Sequence, residues 1–294
     1  MKNCKLCPRM CEINRAAGQL GFCKGGSVMR ISRAAPHFWE EPVISGEKGS
    51  GTVFFSGCSL RCVYCQNYEI SSNSAHGQPV SVDDLRRIFA ALIKQGVHNI
   101  NLVNPTHYAS EIRKALLAEK LPVPIVYNSS GYERVKTLKS LEGLIDIYLP
   151  DYKYANDALG EKLSGVPDYS QIAESAISEM IRQAGKPVIQ DGLMRKGTII
   201  RHLILPMHTQ NSISVLGRIA ALFPETLVSV MAQYTPCGRA ADYPEINRGI
   251  TKREYEKVRD VLFDLELDGF LQDRDSVGKG YVPDFDEGLL RIFD

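Results

Sequence analysis

The sequence predicts an α/β protein, a complete or partial (β/α) TIM-like barrel with a small Cys-rich N-terminal module. Three observations predict it. From about residue 51, strand-like and helix-like segments alternate, the pattern of βαβ units around a parallel sheet. Residues 1–48 show no such periodicity and are rich in Cys, Gly and Arg. The 294-residue length suits one large domain or two ordinary ones, since a domain takes about 150 residues. The division that follows is a metal-binding module over 1–48 and a barrel core with a C-terminal extension over 49–294. An open doubly wound sheet is the alternative. In either fold ligands gather at the carboxyl ends of the strands.

Thr52–Phe55 is a short, apolar, β-prone run. Val82, Leu85, Ile88, Phe89 and Leu92 follow at helical spacing, with Ser81 and Asp84 as a capping box. Asn99–Val103 reads as the second strand and Ser110–Glu119 as a helix. Ile125–Tyr127 is the third strand, with Tyr132–Ser140 behind it, and Leu144–Leu149 the fourth. Tyr169–Ala184 is a long helix and Pro187–Gln190 a short strand. Ile199–Leu205 is a run of β-branched residues and leucine that ends at Pro206. Ser212–Leu222 is helical and Leu227–Gln233 a strand. Thr251–Leu267 is a helix capped by Thr251 with Glu254.

Composition narrows the function. Apolar residues make up 44% and charged residues 23%, values of an ordinary globular chain, which excludes wholesale disorder. A net charge of +1 gives no reason to expect nucleic acid or a membrane surface as partner. No apolar run reaches the roughly 18 residues of a membrane span. Met1–Arg15 lacks the apolar centre of a signal peptide, so the expected location is cytoplasmic. Seven of the eight cysteines lie in the first 65 residues, and a reducing compartment favours metal chemistry over disulfides there.

The sharpest motif is Cys58-x3-Cys62-x2-Cys65, directly after the first strand. Three thiolates this close suit three irons of one [4Fe–4S] cube, and the local fourth ligand of a closed cluster is missing. One iron is then left open to a ligand. Zinc would want a fourth ligand close by.

With Tyr64 in its aromatic place, this motif resembles that of the radical S-adenosylmethionine superfamily. The resemblance implies that the open iron binds S-adenosylmethionine. An electron from the cluster then cleaves the sulfonium, and a 5′-deoxyadenosyl radical takes hydrogen from the substrate. The protein supplies orientation and exclusion of water. The likeness runs over roughly residues 51 to 240 and is nearest to homologues of pyruvate formate-lyase activating enzyme. Cys65-Gln66-Asn67 is similar to that enzyme's Cys-His-Asn, Val126–Gly131 to its third-strand Asp-Thr-Asn-Gly, and Leu149–Lys153 to its Asp-x-Lys. Ile200–Pro206 resembles a later Arg-bearing strand that ends in Pro. Carried over, Ser130, Lys153 and Arg201 hold the methionine carboxylate or the ribose hydroxyls, chemistry that suits a zwitterionic, polyhydroxylated ligand. Asn128, Ser129 and Asp151 match a cation site, with Asn where the enzyme has Asp. Tyr64, Asn67 and Asn104 join the cofactor-binding set. The departure is at strand two, where Asn101–Tyr108 replaces the usual Gly-Gly-Glu-Pro. That argues against routine activation of a glycyl-radical enzyme and leaves it as one option. The implied substrate is a protein or peptide, and the implied electron donor is flavodoxin- or ferredoxin-like.

Cys4-x2-Cys7-x3-Cys11-x11-Cys23 supplies four more thiolates, enough for structural zinc or an auxiliary iron–sulfur cluster. Spacing does not separate the two. The residues around them also resemble the N-terminal segment of those homologues.

Other residues have weaker claims. His37, Phe38, Trp39, Glu40 and Glu41 either cover the site or pack as a clasp. His107 follows strand two as an acid/base candidate or a local hydrogen-bonding group. His202 should face away from Arg201 by strand alternation. Gln233 and Tyr234 are candidates for adenine contact, and Cys237 for a thiol, a ligand or neither. Arg239, Asp242, Tyr243 and Glu245 form a polar loop suited to substrate selection or to plain solvation. The main competing function is a non-enzymatic iron–sulfur electron-transfer protein with Cys237 as fourth ligand. A zinc-stabilised binding module with a lapsed site is the other.

Overall fold

The computed structural model describes residues 1–72, 76–272 and Phe285. The far end of the 49–294 range otherwise lies outside the described residues. The elements in chain order are β1 (Met29–His37), α1 (Pro42–Ser45), β2 (Ser50–Phe55), α2 (Tyr68–Ser72), β3 (Gln78–Val80), α3 (Val82–Lys94), β4 (Ile100–Val103) and α4 (Ala109–Ala118). Then come β5 (Ile125–Ser129), α5 (Val135–Lys139), β6 (Ile147–Pro150), α6 (Asp157–Ser164), α7 (Tyr169–Ala184) and β7 (Val188–Gln190). The last are β8 (Leu193–Leu203), α8 (Thr209–Leu222), β9 (Leu227–Met231), α9 (Lys252–Asp264) and β10 (Gly269–Leu271).

Strands β2, β4, β5, β6, β8, β9 and β10 lie side by side in that order and all run parallel. A doubly wound sheet would reverse its order partway. This one does not, so it forms the wall of a barrel. The wall is partial: among the described residues β10 does not pair with the other end, where β1 runs antiparallel on β2 and β3 antiparallel on β1. Because β1 belongs to the sheet, the sheet begins inside the 1–48 stretch expected to stand apart from it.

Local chemistry explains most elements. β2, β4 and β6 are buried along their whole length, as parallel strands covered on both faces should be. α3 opens on the expected capping box, with Asp84 N–H donating to Ser81 Oγ at 3.1 Å and Ser81 N–H to Asp84 Oδ2 at 3.1 Å. Its buried face is Leu85, Ile88, Phe89 and Leu92. α9 opens on the Thr251–Glu254 box. β8 starts six residues before Ile199 because Leu193–Lys196 forms a hairpin with β7. Its turn, Asp191-Gly192, has φ of 52° and 75°, the left-handed pair that hairpin turns favour.

Candidate active site

A cavity of about 900 Å³ occupies the lumen of the partial barrel and reaches the carboxyl ends of its strands. Cys58, Cys62 and Cys65 line it together with Tyr64, Asn67, Asn104, Asn128, Ser130, Asp151, Lys153 and Arg201. Eleven residues singled out in the sequence, drawn from five separate strand ends, therefore share one space.

The cysteine loop is pinned from several sides. After β2 the chain turns at Gly57, whose φ is 89°. Gly57 N–H donates to Ile70 O at 2.7 Å, and the Asn104 side-chain amide donates to Gly57 O. Further on, Arg61 N–H and Val63 N–H donate to Ser164 O and Leu163 O at 3.1 and 2.9 Å. Each sulfur accepts a hydrogen bond: Cys58 from Leu60 N–H at 3.4 Å, Cys62 from Ser164 Oγ at 2.9 Å, and Cys65 from Ser71 Oγ at 3.4 Å. Tyr64 OH lies 2.6 Å from Tyr154 OH, which lies 2.7 Å from Ser164 Oγ. The aromatic residue of the motif thus supports Cys62 through a chain of three hydroxyls.

Burial pushes all three thiols up, Cys62 to about 11, and mutual repulsion adds to the effect at Cys58. The Lys153 ammonium works the other way at Cys62. Buried thiols of this kind become thiolates when a metal takes the proton's place. Ser130 Oγ and Gln233 Oε1 line the cavity with no hydrogen-bond partner among the described residues, as a polar ligand would require. The donor set and these orphaned atoms fit a cluster with a polar co-ligand.

The Asp151 and Lys153 side chains pair at 2.6 Å. Burial opposes the Lys153 charge, but Asp151 and the neighbouring thiol hold it well above the usual range. Arg201 lines the cavity as well. Its Nε and Nη2 donate to Glu41 at 2.8 and 3.1 Å, and Nη2 also meets Glu40. Of the residues read as a cation site, Asn128, Ser129 and Asp151 share the cavity; Asp151 pairs with Lys153, and the Asn128 amide donates to Glu40 at 3.4 Å. Glu40 and Glu41 line the cavity, so the segment read as cover or clasp acts as its floor.

His202 faces away from Arg201, as alternation requires. Its Nδ1 and Nε2 meet Tyr152 O at 2.7 Å and Ser212 Oγ at 2.9 Å, and burial pulls its pKa down to about 4. His107 does not line the cavity. It is buried against Ser56 O at 2.7 Å, and burial pulls it down to about 4 as well. Tyr234 OH donates to Ile246 O, away from the cavity. Cys237 also lies outside the cavity's lining. Arg239 pairs with Asp242 in solvent, Glu245 with Lys162, and Tyr243 packs on the core, which accounts for the polar loop. Ser71, Ser164 and Gln272 were missed from the sequence, because only the folded chain brings them to the sulfurs and the cavity.

None of the eight cysteines is in a disulfide. Cys4, Cys7 and Cys23 are buried and Cys11 half-buried. A β-carbon on Gly21 would lie 3.2 Å from Cys11 Sγ and 3.6 Å from Cys23 Sγ, so a glycine leaves room between these sulfurs. Cys23 Sγ accepts from Gly25 N–H at 3.3 Å and Arg15 Nη2 at 3.5 Å. The segment docks on the cysteine loop through Arg9, which donates to Ser59 O and Gly165 O at 3.0 and 2.7 Å and lies 3.9 Å over the Phe22 ring. Among the described residues no group of His, Cys, Asp and Glu converges tightly enough for a single metal ion.

Comparison with known proteins bears on the family and the fold. The family model of the radical SAM superfamily matches residues 52–213. An uncharacterized protein of Methanocaldococcus jannaschii is 32% identical over 276 residues, 91% of this chain and 76% of that one. Streptococcus suis SuiB bound to precursor peptide SuiA superposes with a TM-score of 0.52 at 19% identity, over 74% of this chain and 46% of that one. HydG, a maturase of the [FeFe]-hydrogenase, gives 0.51 at 16% identity, over 78% and 51%. A radical SAM methyltransferase from Sphaerobacter thermophilus gives 0.51 at 12%, over 76% and 67%. At these identities the structural likeness is one of fold, and the chain spans about half the length of SuiB and HydG. No helix among the described residues is long and apolar enough to cross a membrane.

Proposed function

The chain belongs to the radical SAM superfamily, and on that premise we propose that it acts on a protein or peptide by hydrogen abstraction at the Cys58–Cys62–Cys65 loop. The observation that carries this reading is the shared cavity: three hydrogen-bonded thiols face the same space as Ser130 and the Asp151–Lys153 pair. A [4Fe–4S] cube on the three thiolates would supply the electron that splits S-adenosylmethionine into methionine and the 5′-deoxyadenosyl radical.

The chain's own residues have separable tasks. Ser164, Ser71 and Leu60 N–H orient the sulfurs. Ser130 Oγ, unpartnered among the described residues, is the hydroxyl that would meet a carboxylate or ribose, with Lys153 as the cation. Asn104 holds the turn at Gly57 and so acts on the loop. Gln233 Oε1 is an acceptor for an exocyclic amine such as that of adenine. The space is large enough for a side chain presented by a peptide. Activation of a glycyl-radical enzyme is the narrower form of this reading. A flavodoxin- or ferredoxin-like donor and a cytoplasmic location belong to the same proposal.

Cys4, Cys7, Cys11 and Cys23 are the ligands of a second metal centre in this reading. Their sulfurs do not converge on a single ion, and neither do those of Cys58, Cys62 and Cys65. Four thiolates serve a second cluster or zinc, and iron content decides between them. The competing electron-transfer reading needs Cys237 as a ligand beside the triad; Cys237 lies outside the cavity's lining, yet its thiol is near enough to add to burial in pushing the Cys65 thiol up, so cleavage of S-adenosylmethionine is what separates the two readings.

The test is anaerobic reconstitution with iron and sulfide, followed by dithionite and S-adenosylmethionine. The expected product is 5′-deoxyadenosine, abolished in Cys58→Ala. Undiminished product from that variant overturns the reading.

A further inference from the structure

The floor of the cavity carries a negative charge that no described residue lining it balances. Glu40 and Glu41 enter from the segment between β1 and β2, at the end of β2 opposite the cysteine loop. Arg201 on β8 answers both carboxylates, with Nε on Glu41 at 2.8 Å and Nη2 shared between Glu41 and Glu40. The second oxygen of Glu40 accepts from the Asn101 and Asn128 amides at 2.9 and 3.4 Å. The side chains of Glu40, Glu41 and Arg201 are only 8%, 4% and 11% exposed. Two carboxylates on one guanidinium leave one negative charge out of water, a costly arrangement unless something pairs with it. The Asp151–Lys153 pair is neutral in itself and contributes nothing to the balance. His37 also faces the cavity; burial pulls its pKa down, against the pull of Glu40 and with the nearby Arg201 and Arg33, which disfavours its charged form.

A second, independent observation points the same way. Fully buried Asn101, on the lumen-facing side of β4 with Val103, gives its amide N–H to Glu40 and leaves Oδ1 without a donor among the described residues. An amide oxygen only accepts, so the floor is short of an N–H group as well as of positive charge. S-adenosylmethionine would not supply the missing charge. Its single net positive charge is matched by the single net negative charge of an oxidised cube on three thiolates, at the other end of the lumen. Phe38 and Trp39 line the cavity beside the carboxylates and are half exposed. Their ring faces attract cations.

We propose that this floor binds an alkylammonium group of the substrate, such as a lysine side chain, with Glu40 as its counter-charge and Trp39 beside it. The proposal rests on the reading of this cavity as the substrate's. An ammonium fits better than a guanidinium. The bidentate edge of Glu41 is already taken by Arg201, and the unpartnered acceptor at the floor, Asn101 Oδ1, is a single oxygen, which suits a compact three-donor cation better than a planar fork.

Trp39 is the chain's only tryptophan, so its emission reports on this rim directly. The anaerobically reconstituted protein is titrated with Nα-acetyl-lysine methylamide, with n-butylammonium and with the neutral Nα-acetyl-norleucine methylamide. The lysine probe is expected to shift Trp39 emission with a Kd at least ten-fold below that of the norleucine probe. Glu40→Gln is expected to erase that difference. Tighter binding of the lysine amide than of butylammonium identifies a peptide as the source of the ammonium, and equal binding identifies a free amine; both support the floor. Equal Kd values for the lysine and norleucine probes on the unaltered protein overturn it, whether or not Glu40→Gln folds. The cluster's absorption on adding S-adenosylmethionine is read in the same samples. No change there, with lysine binding intact, removes the radical reading and leaves the cation site standing. A normal change with no preference for lysine overturns the cation site alone.

Discussion

The carbonyl oxygen of Cys23 occupies the place where a side chain on Gly57 would begin. The backbone of the N-terminal cysteine segment therefore rests on the turn that launches Cys58, with no atom between them. Gly57 has a left-handed φ of 89°, which costs a non-glycine residue roughly 1–2 kcal/mol before any clash is counted. Gly57→Ala should lower stability by more than this and displace Cys23 from the loop. A thermal melt together with the iron content of the reconstituted protein checks it. A normal melt with full iron would mean that the two segments are not held against each other.

Two metal centres make separable claims on iron. The unaltered protein should take up about eight irons if both cysteine sets hold cubes. Cys58→Ala and Cys7→Ala should each retain about four, and only Cys7→Ala should still cleave S-adenosylmethionine when dithionite replaces the natural donor. Zinc in place of iron in the Cys58→Ala protein would reassign Cys4, Cys7, Cys11 and Cys23 to a structural zinc site.

Arg9 is one of the residues that tie those cysteines to the barrel. Its guanidinium donates to Ser59 O and Gly165 O and stacks 3.9 Å from the Phe22 ring centre, with Arg61 4.5 Å from the same ring. Arg9→Lys keeps the charge but loses the planar fork. The expected loss is about 1–2 kcal/mol from one cation–π contact and one of two hydrogen bonds. It should be read as faster limited proteolysis within residues 1–28. Unchanged cleavage rates would show that Arg61 and the other contacts suffice.

What was legible in the sequence follows from what is local. The Ser81–Asp84 and Thr251–Glu254 boxes set two helix starts within four residues of chain, and the structure has both. The all-apolar parallel strands and the cysteine loop after the first of them are equally local signals. α6 was missed although Asn156 caps it and Gly165, at φ 66°, ends it, because its apolar face is short. β1 was missed because Arg30, Arg33 and Pro36 interrupt its alternation, and only pairing with β2 and β3 makes it a strand. The Glu40–Arg201 pair joins residues 161 apart. No spacing rule reaches that far, so the sequence does not show that the Arg201 guanidinium answers Glu40 and Glu41.

The Cys62 sulfur ends a relay of hydroxyls from Tyr64 through Tyr154 and Ser164. Hydrogen bonds to cluster sulfurs raise reduction potential. Ser164→Ala removes the donor at 2.9 Å and should move the triad cluster to a more negative potential. Potentiometric titration followed by electron paramagnetic resonance is the measurement. Slower S-adenosylmethionine cleavage at a fixed dithionite concentration should accompany the shift, and an unchanged potential would mean that the relay acts on packing alone.

Acid should destabilise the barrel through its two buried histidines. Burial pulls His107 and His202 down to about 4, while an unfolded histidine titrates near 6.5. Between those values the unfolded chain binds more protons, so each histidine's contribution is complete above about pH 6.5 and is lost as pH falls toward 4. Each amounts to roughly 3 kcal/mol at full titration. Glu133 runs the other way. Burial raises it to about 7 despite hydrogen bonds from Thr106 and Ser129. The folded chain therefore keeps a proton that the unfolded chain releases from about pH 4.3 upward, and this costs stability as pH rises toward 7. Two histidines outweigh one glutamate, so net stability should rise from pH 4.5 to 6.5. Glu133→Gln should steepen that rise and His202→Asn should flatten it, both measured by urea unfolding across the interval. A slope that neither variant changes would place the acid sensitivity outside these buried groups.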